Sequence, residues 1–109
     1  MTAPGLDRWN ESFPESPVLR RLTTPVDVVV DTSSIFHAGA GFTRADQLPL
    51  RIRSCAPQLE PRMQGTLHTW LKASDGRWLA QVCVPAISPN GRSSLDLWLW
   101  VDAAAVRRR

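Results

Sequence analysis

The sequence has no long hydrophobic run, two cysteines and a single lysine among its 109 residues. Its longest unbroken apolar run, from Leu97 to Val101, is far shorter than the roughly 20 residues that a membrane-spanning helix requires. The N-terminus lacks the basic start and the apolar stretch of a secretory signal. These absences predict a cytoplasmic protein without membrane contact, in which Cys55 and Cys83 are free thiols.

Positive charge comes almost entirely from arginine, and its surplus lies at one end of the chain. The formal net charge is +3 at pH 7, from 13 basic and 10 acidic residues. Without Arg107, Arg108 and Arg109, ten basic residues balance ten acidic ones. The folded body is therefore near neutral, with no surplus for a broad face that binds duplex nucleic acid. We interpret residues 107–109 as a solvated basic tail; salt-sensitive contacts with phosphates or acidic proteins are the alternative.

The N-terminal segment, residues 1–22, contains three prolines and little periodic pattern. This composition predicts a flexible arm. The spacing of Leu6, Trp9 and Phe13 nevertheless puts these side chains on one face of a short helix. The alternative is therefore a peptide that docks into a groove of this protein or of a partner.

Five segments have the alternation or the β-branched composition of strands. They are residues 26–31, 48–54, 66–73, 78–84 and 94–101. Asp75-Gly76 predicts a tight hairpin turn, and Pro89-Asn90-Gly91 predicts a longer hairpin loop. Residues 102–106 are expected to form one helical turn capped by Asp102.

Alternation assigns the two faces of the first two segments. Val26, Val28 and Val30 share one face of the first strand. In the second, residues 48–54, the apolar side chains face one way, while Arg51 and Arg53 face the other.

Five short strands in about 85 residues are too few for two packed sheets, but they can curl into one small barrel. Three further features define the arrangement of the chain. They are a long loop after the first strand, two consecutive hairpins, and the ending Trp100-Val101-Asp102-Ala103 with Val106. Over residues 24–106 this arrangement resembles the bacterial SH3-like barrels. The resemblance implies an all-β protein: a single small SH3-like barrel of about five antiparallel strands, residues 23–106, behind the flexible arm. Peptide-binding members display a tyrosine pair, and this chain has no tyrosine, which argues against proline-rich ligands.

Neither catalysis nor metal binding is predicted, and no cofactor is expected. One loop region contains an acid, two hydroxyls and an imidazole, from Asp31, Ser33, Ser34 and His37. It lacks the Gly-x-Ser-x-Gly turn that exposes a nucleophilic serine. Four thiol and imidazole side chains are separated by 17, 12 and 14 residues, whereas zinc ligands come in close pairs: His37, Cys55, His68 and Cys83. The first set is interpreted as turn formers, and His37 as a solvated loop histidine.

The tryptophans of the last two hairpins are the main candidate site. If the leucines that alternate with them fill the barrel, Trp70, Trp98 and Trp100 point outward with His68. Three exposed indoles would form a costly apolar patch. One alternative is that the N-terminal arm or the long loop covers it with Trp9, Phe13 or Phe42. The others are that a partner or a second copy covers it, or that the bases of a single-stranded nucleic acid stack on it. A fourth alternative is that the inward face is assigned wrongly.

The sequence therefore predicts a non-catalytic interaction module. Its surface of Trp70, Trp98, Trp100 and His68, with Arg51 and Arg53 at the rim, is expected to bind a protein partner or a second copy. The alternative is single-stranded nucleic-acid binding by aromatic stacking and arginine contacts. No small-molecule substrate is evident.

Overall fold

The structure of the protein, a computed structural model, describes residues 3–36 and 49–109. Five antiparallel strands form one sheet that curls into a half-barrel, with almost no helix in the described ranges. The strands are β1 (Leu19–Asp31), β2 (Arg62–Lys72), β3 (Trp78–Ile87), β4 (Ser94–Asp102) and β5 (Val106–Arg108). Neighbours in sequence pair with one another, and β5 returns to β1, so the order is β4-β3-β2-β1-β5. The prediction of an all-β protein with five antiparallel strands is confirmed.

Within residues 3–36 and 49–109, helical structure is confined to short connections. They are a 3-10 turn at Thr32–Ser34, helix α1 at Leu50–Cys55 and a second 3-10 turn at Ala103–Ala105. The predicted cap is present, because the Asp102 carboxylate accepts a hydrogen bond of 2.9 Å from the Ala104 amide. No helix among the described residues is long and apolar enough to cross a membrane.

The second predicted strand, residues 48–54, is wrong, since α1 occupies most of that segment. Pro49 lies at the start of the helix with φ −55°, and its carbonyl accepts a hydrogen bond from the Arg53 amide at 3.2 Å. A proline is compatible with this N-cap position because the residue has an extended ψ of 145° and the helix needs no amide hydrogen from it. Leu50 and Ile52 remain exposed, so their alternation does not correspond to a buried strand face. Leu48 lies outside the described residues.

The fifth strand comes instead from the predicted basic tail. Arg107 and Arg108 pair with Val29 and Val28, near the C-terminal end of β1, so residues 107 and 108 belong to the sheet rather than to a tail, although their side chains are exposed. Without β5, that side of β1 would leave a row of backbone groups unpaired, and arginine side chains are compatible with a short edge strand. At the other end of the chain, β1 begins at Leu19, so residues 19–22 of the predicted arm belong to the sheet.

The core lies on one face of the sheet, which we call the inner face. The predicted alternation of β1 is confirmed, because Val28 and Val30 are buried in this core and Val26 packs against it. The buried members come from β1 to β4 and the last 3-10 turn: Val28, Val30, Leu67, Ala80, Val82, Val84, Val101 and Ala105. The opposite side is the outer face.

Two glycines meet different backbone requirements. Gly76 has φ +91° in the predicted Asp-Gly turn, where the Asp75 carboxylate accepts a hydrogen bond from the Arg77 amide at 3.1 Å. Gly65 lies in β2, where β3 comes so close that an added Cβ would stand 2.6 Å from the carbonyl oxygen of Cys83. No side chain fits at position 65 unless the two strands separate.

We expect Gly65→Ala to lower the free energy of unfolding by about 1–3 kcal/mol, because the methyl group would collide with backbone atoms. Urea denaturation followed by circular dichroism measures the change. Arg62→Ala, at the exposed end of the same strand, is the control and should stay within about 0.5 kcal/mol. Equal stability of Gly65→Ala and the unsubstituted protein would contradict this packing.

Candidate interaction surface

The phase of β4 follows from its pairing with β3. Directly opposite residues of an antiparallel pair share a face, and Val101 lies opposite the core residue Ala80. Trp98 and Trp100, three residues and one residue earlier, lie opposite Cys83 and Gln81. These two tryptophans are therefore on the outer face, where the alternation of residues 94–101 predicts them.

His68 joins the two tryptophans on the outer face through a β-bulge. Leu67 lies opposite Val82 and Thr69 opposite Gln81, so His68 is an extra residue in β2. Its ring centroid lies 4.8 Å from that of Trp98, with the planes tilted by 57°. Nε2 of His68 and Oγ1 of Thr66 are 2.8 Å apart. We call His68, Trp98 and Trp100 the indole surface.

The fourth predicted member, Trp70, lies on the inner face, and its assignment to this surface is wrong. The extra residue at the bulge reverses the alternation of β2, so Trp70 lies opposite the core residue Ala80 and packs against the core. There it borders a shallow pocket with Trp78 and Arg20, whose guanidinium carbon is 4.9 Å from the centroid of the Trp78 ring. The sequence carried no glycine or other signal that located this bulge.

The N-terminal segment crosses the outer face beside the indole surface. The carbonyl oxygen of Pro4 accepts a hydrogen bond of 2.8 Å from Nε2 of Gln81, the residue opposite Trp100. Leu6 is buried but does not belong to the core cluster. We therefore infer that Leu6 packs on the outer face. Trp9 and Phe13, the predicted covering residues, are exposed; Phe42, the third, lies outside the described residues.

The same segment is closed by one carboxylate. Glu11 accepts a hydrogen bond of 2.7 Å from Nε1 of Trp9 and one of 2.8 Å from the amide of Val18. The hydrogen bond from Trp9, followed by that from Val18, lowers the pKa of Glu11. These contacts turn the chain back toward the start of β1.

The indole surface is partly open despite this cover. Trp98 is half-buried, and Trp100 is 39% exposed. Gln81, opposite Trp100 on β3, is almost fully buried, and its Oε1 has no hydrogen-bond partner within the described residues. The surface thus combines accessible apolar area with one buried polar acceptor.

The two arginines predicted at the rim, Arg51 and Arg53, do not surround the indole surface. Arg51 and Arg53 are on α1, which is tied to the β3–β4 loop by a hydrogen bond of 2.9 Å from the Asn90 amide to the Ser54 carbonyl. That loop precedes the first residue of β4, whereas Trp98 lies at the midpoint of β4 and Trp100 in its second half. The two arginines are therefore beside the beginning of β4 rather than around the indoles.

The C-terminal arginines belong to the opposite edge of the sheet. Arg107 lies opposite Val29, between two core residues of β1, and so projects from the outer face. Arg109 donates a hydrogen bond of 2.8 Å to Oε1 of Gln64 and lies 3.9 Å from the carboxylate of Asp27. Three strands separate β5 from β4, so the structure does not bring these arginines to the indole surface.

The side chains considered for catalysis serve the first 3-10 turn. The hydroxyl of Ser33 donates to the carboxylate of Asp31, and that of Ser34 donates to the Asp31 carbonyl at 2.8 Å. Both contacts are typical of turn-forming residues. His37 lies outside the described residues.

Both cysteines are free. Cys55 is exposed and Cys83 is buried, and burial raises the pKa of the Cys83 thiol. Residues 3–36 and 49–109 contain no group of three or more metal-ligating side chains.

Comparison with known proteins finds no matching family model, no matching curated protein and no matching solved structure.

We expect acid to destabilise the fold through His68. Partial burial lowers the pKa of His68 below its ordinary value of 6.5. The unfolded chain then binds a proton that the folded chain resists, so stability is lost as the pH falls through about 6.5 toward the lower folded pKa. The urea midpoint of the unsubstituted protein should drop more between pH 7.5 and pH 5 than that of His68→Gln. The same drop in both proteins would show that His68 contributes nothing to the pH dependence.

Proposed function

We propose that this protein is a non-catalytic interaction module that binds another polypeptide through its indole surface. The observation that carries the proposal is the outward position of Trp98 and Trp100 on β4, with Trp100 39% exposed. Tryptophan is enriched among the residues that dominate binding energy, since one indole buries a large apolar area while its N–H can find a partner. His68 widens the same surface.

We further propose that the half-barrel is of the SH3-like type. Three features support this: β5 returns to pair with β1, a 3-10 turn stands between β4 and β5, and a long connection (residues 32–61) separates β1 from β2. In this reading the indole surface lies on the outside of the barrel. The inner-face pocket beside Trp70 is a different place, so the proposed partner does not use it.

Single-stranded nucleic acid is the less favoured occupant. Stacking on Trp98 and Trp100 requires cations near the backbone of the same nucleotides. Arg77, near the end of β4, is paired with Asp75 and Asp102, and Arg109 is engaged with Gln64 and Asp27. On the outer face, Arg21 and Arg107 lie three and four strand spacings from β4, about 14 Å and about 19 Å along the sheet. The arrangement therefore favours a polypeptide over a nucleic acid.

The test is photo-cross-linking from position 100 in the cells that produce the protein. Trp100 is replaced by p-benzoylphenylalanine, which keeps a large aromatic side chain at the site. We expect a covalent adduct with a polypeptide, either a second copy or another protein. Adding Trp98→Ser should reduce its yield at least about tenfold, because loss of an interface tryptophan costs about 2 kcal/mol or more.

The matched control places the same probe at Leu59, an exposed apolar residue outside the indole surface. Circular dichroism and the urea midpoint establish that each variant is folded. Equal adduct yields at positions 59 and 100 would contradict the proposal, as would an adduct that nuclease destroys, which supports the nucleic-acid alternative. If Trp98→Ser cannot fold, Trp98 belongs to the structural core and the proposal is wrong.

A further inference from the structure

Strand β4 has one edge that no other described strand covers. It is the terminal strand of the sheet and pairs only with β3 among the described residues. Every second residue of such a strand directs its backbone N–H and C=O away from the sheet, and these groups can bind another strand. The strand is nine residues long and contains no proline, lysine or β-bulge. Nothing in its own sequence prevents pairing.

The opposite edge of the sheet is protected in the usual ways. There, β5 is three residues long, and Arg107 and Arg108 make up two of them. Short length and positive side chains are the devices by which proteins keep an edge strand from pairing. On β4, residues 95–101 carry a single charge, that of Asp96. The contrast between the two edges indicates that the β4 edge is the one used for association.

The side chains along β4 are also unusually apolar for an edge. Leu97 and Leu99 are only half-buried against the core, and Leu95 is 42% exposed. A neighbouring strand on the open side would cover all three leucines from the flank. It would also extend the outer face next to Trp98 and Trp100.

The occupant that fits this edge best is a second copy of β4. Two identical strands that pair antiparallel with their faces aligned are related by a twofold axis, so a residue at the midpoint lies opposite itself. Trp98 is the midpoint of Ser94–Asp102. In that register all nine residues pair, and the indole surfaces of the two copies become continuous.

The charges of β4 are compatible with this register. Asp96 lies opposite Trp100 of the second copy, and Asp102 lies opposite Ser94, so no two carboxylates face each other. A shift of the midpoint to position 96 would oppose two copies of Asp96, and a shift to position 99 would oppose Asp96 and Asp102. Like charges in opposite positions destabilise a strand pair. A midpoint at position 97 avoids this conflict but leaves the last two residues of β4 opposite the hairpin loop.

We propose that the protein forms a symmetric dimer in which β4 pairs antiparallel with β4 of a second copy, centred on Trp98. The two half-barrel sheets become one ten-stranded sheet, with Leu97 opposite Leu99 on the inner face and the two Trp98 side chains adjacent on the outer face. The inference rests on the proposed function, because it names the polypeptide that the indole surface meets.

The first experiment measures mass in solution by sedimentation velocity over a range of concentrations. We expect the unsubstituted chain of 12.1 kDa to reach twice that mass. Leu95→Lys puts a lysine on the edge and should weaken the dimer at least about tenfold. The matched control is Ile87→Lys, since Ile87 is 55% exposed but lies on β3, opposite Ser94 at the same end of the hairpin. It should leave the dimer unchanged.

The second experiment separates edge pairing from stacking of the outer faces. Amide hydrogen exchange is compared for the full chain at concentrations below and above the dimer midpoint. Edge pairing should slow exchange at alternate residues of β4 at least about tenfold at the higher concentration, with β5 unchanged. If the protein dimerises but amide exchange in β4 is not slowed, the proposed pairing of β4 is overturned.

Other outcomes distinguish this inference from the proposed function. A chain that stays monomeric up to millimolar concentration overturns the dimer, and so does a β4 edge that is protected at every concentration. If such a monomer still gives a polypeptide adduct from position 100, the interaction module stands and its partner is another protein. A monomer without that adduct contradicts both proposals.

Discussion

The antiparallel pairing of β3 with β4 is the constraint on which the candidate site depends. Because Val101 lies opposite Ala80 in the core, the alternation of a strand leaves Trp98 and Trp100 no other direction than outward. The leucines between them face the core for the same reason. A shift of one residue in this register would bury both indoles and expose the leucines. The surface is thus a consequence of register rather than of a separate binding loop.

A single extra residue in β2 then divides the aromatic residues between two faces. Up to Leu67 the strand follows the simple alternation, and from Thr69 onward the alternation is reversed. His68 therefore reaches Trp98, while Trp70 turns to the inner face and to Trp78. Bulges of this kind redirect side chains at the cost of one unpaired residue. Here the bulge makes the outer surface smaller by turning Trp70 inward, while His68 keeps the outward direction that simple alternation predicts.

The two ends of the chain contribute to the two faces in unequal ways. The N-terminal segment covers part of the outer face through Pro4 and Leu6, and Glu11 holds the segment closed. The C-terminal arginines close the edge beside β1 and protect it with charge. Among the described residues, neither end of the chain covers the edge of β4 or the whole of Trp100, and these two places adjoin each other. Their proximity would allow the proposed partner to engage both.

Much of the architecture follows from local sequence, and the remainder does not. The valines of β1, the Asp-Gly turn, the Asp102 cap and the alternation of β4 are local patterns, so the strand type, four of the five strands and the outward direction of Trp98 and Trp100 could be predicted. The fifth strand could not, because the predicted strand at residues 48–54 is largely a helix and most of β5 lies in the predicted basic tail. Three features are tertiary. Residues 50–55 form a helix although their alternation resembles that of a strand, and β5 takes the place beside β1 as the fifth strand. The bulge at His68 is set by the pairing of β2 with β3, and the open edge of β4 exists only because the sheet ends there.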